Sequence, residues 1–252
     1  AAPCNPMTRP TPIAKRRWLV ISDVDDTLTG DAGGLQALAA ALARHRRQLW
    51  FALNSSRPFA SVARTLRKDF PDTFRPDAAI TALGTEIRLD GALCAQWDAR
   101  FGGWPRDQIF DLLLALGHRP HDDEFQTPRK VSFAVSRSAQ AGARTALAER
   151  GIPCRIIASG TDDFDVIPPG AGKDAAALFL AEALGASRRR LVVAGDSGND
   201  LAMFRIAAHA IAVGNARPEL LDAMPTETTY HARQPYAFGV LEGLVHFGVL
   251  PA

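Results

Sequence analysis

Apolar residues stand side by side at several points of the chain, and segments with helical spacing separate these runs. Residues 18–21 form the first run and residues 49–53 the second, with apolar residues at helical spacing over 35–42 between them. A strand that is apolar at every position is typically covered on both faces, as the strands of parallel sheets are. The alternation therefore predicts a doubly wound, Rossmann-like α/β fold around an open parallel sheet.

This alternation is regular in two parts of the chain and looser between them. The regular parts add predicted strands over 78–83, 191–194 and 210–213, and helices over 59–70, up to Leu184 and after Asn199. The looser part has short predicted strands over 131–135, 155–158 and 165–167, and helices over 107–116 and 140–150. We therefore predict a core domain at 15–85 and 168–252, an inserted α+β domain at 86–167 and a flexible tail at 1–14.

Composition excludes several classes of protein. The 252 residues are 47% hydrophobic and 22% charged, as in a globular protein. The 29 basic and 27 acidic residues leave a net charge of +2, which gives no basic field for nucleic acid. No apolar stretch reaches the ~20 residues of a membrane helix, so we expect neither nucleic-acid nor membrane partners. Three cysteines are too few for a disulfide framework, and a reducing, cytoplasmic location is expected.

Acidic side chains follow two of the predicted strands. Asp23 and Asp25 come directly after the first strand, and Asp196, Asn199 and Asp200 come after the strand at 191–194. Ligands of open parallel sheets bind beyond the carboxyl ends of the strands, so these groups should converge. Converging carboxylates repel each other unless a cation lies among them, and an all-oxygen set of ligands favours Mg²⁺ over Zn²⁺.

Two further elements fit a phosphate group. Ser55 follows the second strand and precedes a helix, where a hydroxyl and backbone N–H groups can hold an anion. A serine at this position is also an ordinary helix cap. Lys173 falls in the first turn of the helix that runs to Leu184, where the helix dipole disfavours a cation by about 0.3–1 kcal/mol. A nearby buried anion would offset that cost, although a lysine on a glycine-rich loop can also be simply exposed.

Together these elements resemble, in order, the four motifs of haloacid-dehalogenase-type phosphohydrolases. The matching residues are Asp23, Asp25 and Thr27 (D-x-D-x-T), Ser55, Lys173, and Gly195, Asp196, Asn199 and Asp200 (G-D-x-x-N-D). The segments 159–168 and 230–243 are similar to the sucrose-phosphate phosphatase branch of that superfamily. The resemblance implies a C2-type cap inserted between the second and third motifs. Two residues depart from the usual pattern: Asp26 stands where Asn is common, and Ser56 where Gly is usual.

The same resemblance implies a two-step phosphoryl transfer through an aspartyl phosphate. It makes Asp23 the nucleophile and Asp25 the general acid and base, while Lys173 neutralises the phosphate. It places Mg²⁺ among Asp23, the backbone carbonyl of Asp25 and Asp196. The remaining roles it implies are metal-site orientation by Asn199 and Asp200, and phosphate binding by Ser55 and the N–H of Ser56.

Sugar specificity should come from the inserted domain, with Arg57, Glu86 and Lys130 as candidate substrate contacts. The main hypothesis is a Mg²⁺-dependent phosphatase of a disaccharide phosphate, with sucrose 6-phosphate as first choice. Mannosylfructose phosphate or another glycosyl-sugar phosphate is the alternative on the same scaffold. A sugar phosphomutase, and a non-catalytic docking module of a glycosyltransferase, are alternatives of other classes. A sugar-phosphate synthase is a candidate protein partner.

Overall fold

The computed structural model describes residues 17–251, and the tail predicted at 1–14 lies outside the described residues. The strands are β1 (Trp18–Ser22), β2 (Leu49–Asn54), β3 (Ala78–Thr81), β4 (Glu86–Leu89), β5 (Ala92–Leu93), β6 (Arg119–Pro120), β7 (Val131–Ala134), β8 (Arg155–Ser159), β9 (Asp163–Ile167), β10 (Leu191–Gly195), β11 (His209–Ala212) and β12 (Thr229–His231). The helices are α1 (Ala32–His45), α2 (Phe59–Asp69), α3 (Ala95–Asp98), α4 (Arg106–Ala115), α5 (Arg137–Glu149), α6 (Lys173–Ala183), α7 (Leu201–Ile206), α8 (Pro218–Leu221) and α9 (Tyr236–His246). Within residues 17–251 no helix is long and apolar enough to cross a membrane.

An eight-stranded sheet forms the centre of the molecule, in the order β12-β11-β10-β1-β2-β3-β4-β5. The strands from β12 to β3 are all parallel, and β1 lies between β10 and β2. The strands β4 and β5 add an antiparallel edge. The parallel sheet predicted from the alternation of apolar runs and helices is confirmed.

Apolar side chains cover both faces of this sheet. On one face, Phe179 of α6 and Phe204 of α7 pack with Trp97 of α3. On the other face, Leu38 of α1 and Val240 of α9 are buried. Both faces are covered by helices, which explains why β1 is apolar along its whole length and confirms the doubly wound prediction.

A second, smaller unit is inserted between β5 and α6. Its four strands form an antiparallel sheet in the order β6-β7-β9-β8. Helices α4 and α5 bury Ile109 and Leu147 against Phe133 and Phe164, so this unit has a core of its own. The strands and helices predicted from the looser part of the sequence are present there.

The inserted unit begins later than the sequence indicated. Strand β4 pairs antiparallel with β3, so residues 86–93 form a hairpin of the large sheet. Trp97 and Phe101 are then buried in the core of the same sheet. The boundary predicted at residue 86 is therefore wrong, and the inserted unit starts after Phe101. The hairpin escaped sequence analysis because its strands are short and carry charged residues such as Glu86 and Arg88.

The third parallel strand is shorter than predicted. It ends at Thr81, and a 3₁₀ turn over Ala82–Gly84 follows. Ala82 and Leu83 both have positive φ, a conformation that costs residues with a side chain roughly 1–2 kcal/mol each. The turn points the N–H groups of Ala82 and Leu83 toward the carbonyl oxygens of Arg57 and Ser55, at 2.8 and 3.2 Å. The strained turn therefore holds the loop that follows β2.

Cys154, the residue before β8, is a free, partly buried thiol. The expectation of a reducing, cytoplasmic location stays a prediction.

Candidate active site

Three adjacent strands end at the same edge of the large sheet and present polar side chains there. Asp23 follows β1, Ser55 follows β2, and Asp196 follows β10. The N–H of Asp23 donates to the carbonyl oxygen of Ala194 at 2.9 Å, which extends the pairing of β1 with β10 into the site. All three polar residues are buried. The convergence predicted from their positions after the strands is present.

Lys173 lies at the centre of this edge. It is the first residue of α6 and is 1% exposed. Its Nζ donates to Asp23 Oδ1 at 2.6 Å, Asp200 Oδ1 at 2.6 Å and Asn199 Oδ1 at 2.8 Å. Burial opposes the charged form, but the carboxylates of Asp200 and Asp23 outweigh burial and raise the pKa of Lys173. Buried anions thus offset the unfavourable position of this lysine at a helix N-terminus. The alternative, an exposed lysine on a glycine-rich loop, is excluded.

The site holds more negative than positive charge. One oxygen from each of Asp23, Asp196 and Asp200 lies within 4.8 Å of the others, with Lys173 as the buried cation. Burial raises the pKa of Asp23 well above its usual value, and it raises that of Asp196 to about 7, with the Asp200 charge adding to both. Carboxylates that resist ionisation together in this way are stabilised by a hard divalent cation. The donor set therefore fits Mg²⁺.

Within this cluster Asp200 is tied to protein groups through both carboxylate oxygens. Oδ1 accepts from Lys173, and Oδ2 accepts the N–H groups of Asp196 and Ser197 at 3.1 and 3.2 Å. A Cβ at Gly195 would overlap the Asp200 carboxylate, which explains the glycine at that position. Asp200 therefore shapes the loop that carries Asp196, and its expected role in metal-site orientation stays a prediction.

Asn199 contacts Lys173. Its Oδ1 accepts from Lys173 Nζ at 2.8 Å, so this side chain orients the lysine, and its expected role in metal-site orientation stays a prediction. Asp196 keeps a position suited to a cation: Oδ1 accepts from Thr27 Oγ1 at 3.2 Å, and Oδ2 lies 3.6 Å from Arg217 Nε. Asp23 and Asp196 are therefore the carboxylates best placed to hold the ion.

The loop after β2 is held rigidly. Ser55 is fully buried, and its Oγ accepts the N–H of Arg57 at 3.1 Å. Because the oxygen acts as acceptor there, the hydroxyl proton keeps its capacity to donate. The neighbouring Asn54 was not assigned a role from sequence, yet its Nδ2 donates to the carbonyl oxygen of Lys173 at 3.0 Å. Its position as the last residue of β2 was the signal that could have identified it.

Asp25 lies at the mouth of the site and is paired with a cation. Its Oδ2 is 2.8 Å from Arg57 Nε. The Arg57 guanidinium also donates to Ser61 Oγ at 3.2 Å and to Thr65 Oγ1 at 3.0 Å on α2. Arg57 therefore holds the Asp25 carboxylate in one place, a contact that sequence analysis did not predict.

Lys130 reaches from the inserted unit to the large sheet's edge. Its Nζ donates to the carbonyl oxygen of Ser56 at 3.1 Å and lies 3.1 Å from Asp165 Oδ1. Lys130 is 3% exposed, so this cation is sheltered between the two units. Its predicted position beside the cleft is consistent with this contact.

A cavity of about 250 Å³ lies between the large sheet and the inserted unit. Asp23, Asp25 and Asp196 line it from the large-sheet side, together with Ser56, Arg57 and Arg217. The opposite wall comes from the inserted unit and includes His121, Phe125, Lys130, Ser132, Asp163 and Asp165. Of this wall, sequence analysis identified only Lys130, because the others stand in short strands and turns without a motif.

The prediction that Glu86 contacts the substrate does not agree with the structure. Its Oε2 accepts from Thr81 Oγ1 at 2.7 Å and from the N–H of Phe59 at 3.3 Å. Phe59 is the first residue of α2, and the N-cap residue Pro58 supplies no side-chain hydrogen bond. A helix N-terminus leaves backbone N–H groups without partners, and Glu86 satisfies one of them from another element. Its task is structural because β4 pairs within the large sheet and directs this carboxylate to α2.

Replacing Glu86 tests this assignment. Glu86→Ala should destabilise the protein by about 1 kcal/mol, as loss of a helix cap does, and lower the melting temperature by about 2–4 °C. The KM for a turned-over sugar phosphate should stay unchanged. Glu86→Gln, which keeps an acceptor oxygen, should lose less stability. A several-fold increase in KM with an unchanged melting temperature would instead show that Glu86 contacts the substrate.

Comparisons with known proteins agree with this fold. The chain is 31% identical to probable sucrose-phosphatase 3a of Arabidopsis thaliana over 93% of its own length and 60% of that protein. It is 30% identical to the mannosylfructose-phosphate phosphatase of Agrobacterium fabrum, covering 92% of this chain and 98% of the relative. The crystal structure of the sucrose-phosphatase from Synechocystis sp. PCC6803, in complex with sucrose and phosphate, superposes with a TM-score of 0.85 at 29% identity, covering 94% of this chain and 100% of that one.

The doubly wound sheet, the inserted unit and the acidic strand-end site are those of the haloacid-dehalogenase class of phosphohydrolases. A family model for sucrose-6F-phosphate phosphohydrolase matches residues 16–248. The chain belongs to that family. It spans about 60% of the length of the plant sucrose-phosphatases that it matches.

Proposed function

We propose that the chain is a Mg²⁺-dependent phosphatase of a disaccharide phosphate, with sucrose 6-phosphate as the preferred substrate. The observation that carries the proposal is the buried Lys173 ammonium, 2.6 Å from an oxygen of Asp23. Asp23 lines a cavity whose other wall carries sugar-compatible polar groups. Membership of the sucrose-6F-phosphate phosphohydrolase family supports the choice of substrate.

Charge is the main obstacle to the reaction. A phosphate monoester dianion must approach the carboxylate of Asp23, and two unit charges ~4 Å apart repel by about 4 kcal/mol at an effective dielectric near 20. The second phosphate charge roughly doubles this repulsion. Lys173 supplies one positive charge beside the nucleophile. Mg²⁺, held by Asp23, Asp196 and the backbone carbonyl of Asp25, would supply the rest of the neutralising charge.

Asp23 is the nucleophile in this proposal. Its carboxylate attacks phosphorus, the bond from phosphorus to the sugar oxygen breaks, and an aspartyl phosphate forms. Lys173 fixes the carboxylate through Oδ1, so the attacking group is oriented before substrate binds. Water then attacks the aspartyl phosphate, which releases inorganic phosphate and restores Asp23.

Asp25 transfers protons at the mouth of the site. It donates a proton to the departing sugar oxygen and later accepts one from the attacking water. The pairing with Arg57 keeps its carboxylate beside the cavity. Arg57 therefore acts on the substrate through Asp25, in addition to the direct contact expected from sequence.

Phosphate oxygens are held by the loop after β2. The Ser55 hydroxyl donates its proton, and the N–H of Ser56 is the second donor. The strained turn at Ala82 and Leu83 holds this loop by two backbone hydrogen bonds. A rigid cradle of this kind needs no reorganisation as charge develops on the transferring group.

The inserted unit acts as the cap that selects the sugar. Ser132, His121 and Asp163 offer hydroxyl, imidazole and carboxylate groups to sugar hydroxyls, and Phe125 offers an apolar surface. Lys130 adds a sheltered cation at the same wall. A site built to hydrogen-bond hydroxyl groups discriminates strongly against a sugar that lacks them, because its buried polar groups are then left unpaired. The cytoplasmic location and the synthase partner stay predictions.

A mannosylfructose phosphate is the second candidate substrate. It is supported by the similarity to the mannosylfructose-phosphate phosphatase of Agrobacterium fabrum, which covers 98% of that relative. Both substrates contain a fructose unit, and they differ in the second sugar. The buried lysine beside Asp23 and the acidic cluster argue against a non-catalytic docking module. A phosphomutase would use the same groups, and strict dependence on an activating bisphosphate would distinguish it.

The test is phosphate release with Mg²⁺ from sucrose 6-phosphate, mannosylfructose phosphate, trehalose 6-phosphate, mannose 6-phosphate and fructose 6-phosphate. We expect kcat/KM for sucrose 6-phosphate to exceed the others by about a hundredfold, ~2.7 kcal/mol in transition-state binding. Removal of divalent cations with EDTA should stop release, and added Mg²⁺ should restore it. A higher kcat/KM for mannosylfructose phosphate would select that substrate, and no release from any sugar phosphate would contradict the proposal.

A further inference from the structure

A guanidinium of the inserted unit is bonded to residues on both sides of Lys173 in the chain. Arg155, the first residue of β8, donates from one terminal nitrogen to the carbonyl oxygen of Ala171 at 2.9 Å and to Asp174 Oδ1 at 2.7 Å. Its other terminal nitrogen donates to Asp174 Oδ2 at 3.3 Å. The contact therefore joins the inserted unit to the segment that enters α6.

That segment packs closely against Arg155. Gly172, the N-cap of α6, has a φ of +140°, which a glycine adopts readily because it lacks a Cβ. A Cβ at Gly172 would overlap the Arg155 guanidinium, so the two residues fit closely together. Gly172 has no side chain to cap the helix, and Arg155 supports this segment by direct contact.

The large sheet supplies the second support. Asn54 Nδ2 donates to the carbonyl oxygen of Lys173 at 3.0 Å. The main chain at Lys173 is thus held by Asn54 from one side and by Arg155, through Ala171 and Asp174, from the other. This double attachment sets where the Lys173 ammonium lies relative to Asp23, and a 1 Å misplacement of such a group can cost about a hundredfold in rate.

Arg155 also neutralises a neighbouring acid. Asp174 adjoins Lys173 in sequence, and both of its carboxylate oxygens are bonded to Arg155. Asp174 lies with Lys173 in the first turn of α6, so an unpaired Asp174 carboxylate would add negative charge to that turn. The pairing with Arg155 neutralises this charge.

We propose that Arg155 is a positioning residue for Lys173, through which the inserted unit sets the geometry and charge of the phosphate site. The inference rests on the proposed phosphatase function for its kinetic consequences. Its consequence for inorganic phosphate binding needs no turnover of a sugar phosphate, so a failure of the inference and a failure of the proposed function can be told apart.

The test measures kcat, KM and the inhibition constant of inorganic phosphate for Arg155→Ala, Arg155→Lys and Asp174→Asn. We expect Arg155→Ala to lower kcat and to raise the phosphate inhibition constant, each by about tenfold, since Lys173 is displaced but present. Arg155→Lys should recover part of both, because it keeps the charge but not the forked donor geometry. Arg155→Ala combined with Asp174→Asn should be no worse than either alone, as expected for one coupled unit.

Arg144→Ala is the matched control, because this arginine of the inserted unit lies near the Phe164 ring and not at α6. Its kcat and phosphate inhibition constant should equal those of the unaltered protein. A lower melting temperature for Arg155→Ala with unchanged kcat and phosphate affinity would reduce the contact to a structural ion pair and overturn the inference. If the unaltered protein releases no phosphate from any sugar phosphate, the proposed function fails, while calorimetric titration with inorganic phosphate still decides the role of Arg155.

Discussion

Asp23→Asn should abolish phosphate release and leave the fold intact. The amide keeps the size of the carboxylate and an oxygen that can accept from Lys173 Nζ, but it cannot form the acyl phosphate. Loss of a nucleophile typically costs four orders of magnitude or more in kcat, so we expect a fall of at least about 10⁴-fold. Phosphate release from sucrose 6-phosphate over long incubations measures it.

The stability of the same variant separates chemistry from structure. Burial and the charges of Asp200 and Asp196 raise the pKa of Asp23, so the ionised carboxylate is unfavourable in the folded protein. Removing that charge should leave the melting temperature unchanged or higher in the absence of Mg²⁺. Asp107→Asn, at an exposed aspartate of α4, is the matched control and should retain full activity. Residual activity near a tenth of the unaltered level in Asp23→Asn would contradict the nucleophile assignment.

Lys173→Met should lose both activity and stability. The methionine replaces the buried ammonium by an uncharged chain of similar length, and the carboxylates of Asp23 and Asp200 then lack their common partner. Removing one member of a buried ion pair costs about 3–5 kcal/mol. The melting temperature should fall by roughly 6–20 °C, measured by calorimetry without divalent cations, and kcat should fall with it.

A second substitution makes this prediction specific to charge. Lys173→Met combined with Asp200→Asn should melt above Lys173→Met alone, because one of the unpaired carboxylates is removed while its shape is kept. Mg²⁺ should also raise the melting temperature of the single variant, through binding to the folded state. If Lys173→Met has the same melting temperature as the unaltered protein, Lys173 contributes no net stability to the cluster.

Much of the catalytic centre was accessible from the sequence because it lies at strand ends. Asp23, Ser55 and Asp196 each follow an apolar run, and in a parallel sheet the ends of neighbouring strands meet at one edge. Lys173 was accessible for a related reason, since a lysine in the first turn of a helix is costly unless an anion lies near it. These inferences need only local patterns and the rules of sheet topology.

Other features depend on contacts between residues that are far apart in the chain. The β4–β5 hairpin was missed because short, charged strands show no clear period, and the start of the inserted unit was misplaced with it. Glu86 caps α2 because of the same hairpin. No local pattern distinguishes such a carboxylate from one that faces a substrate.

By itself, then, the amino-acid sequence specified the sheet and the convergence of Asp23, Ser55 and Asp196 at one edge, since each follows an apolar run. The roles of these residues came from the family resemblance and stay proposals. Only the tertiary structure decided that Arg57 holds Asp25, that Lys130 bonds to Ser56, and that Arg155 pairs with Asp174. Lys130–Ser56 and Arg155–Asp174 cross between the large sheet and the inserted unit. Their formation depends on how two separately packed cores dock, which hydrophobic periodicity within either unit does not encode.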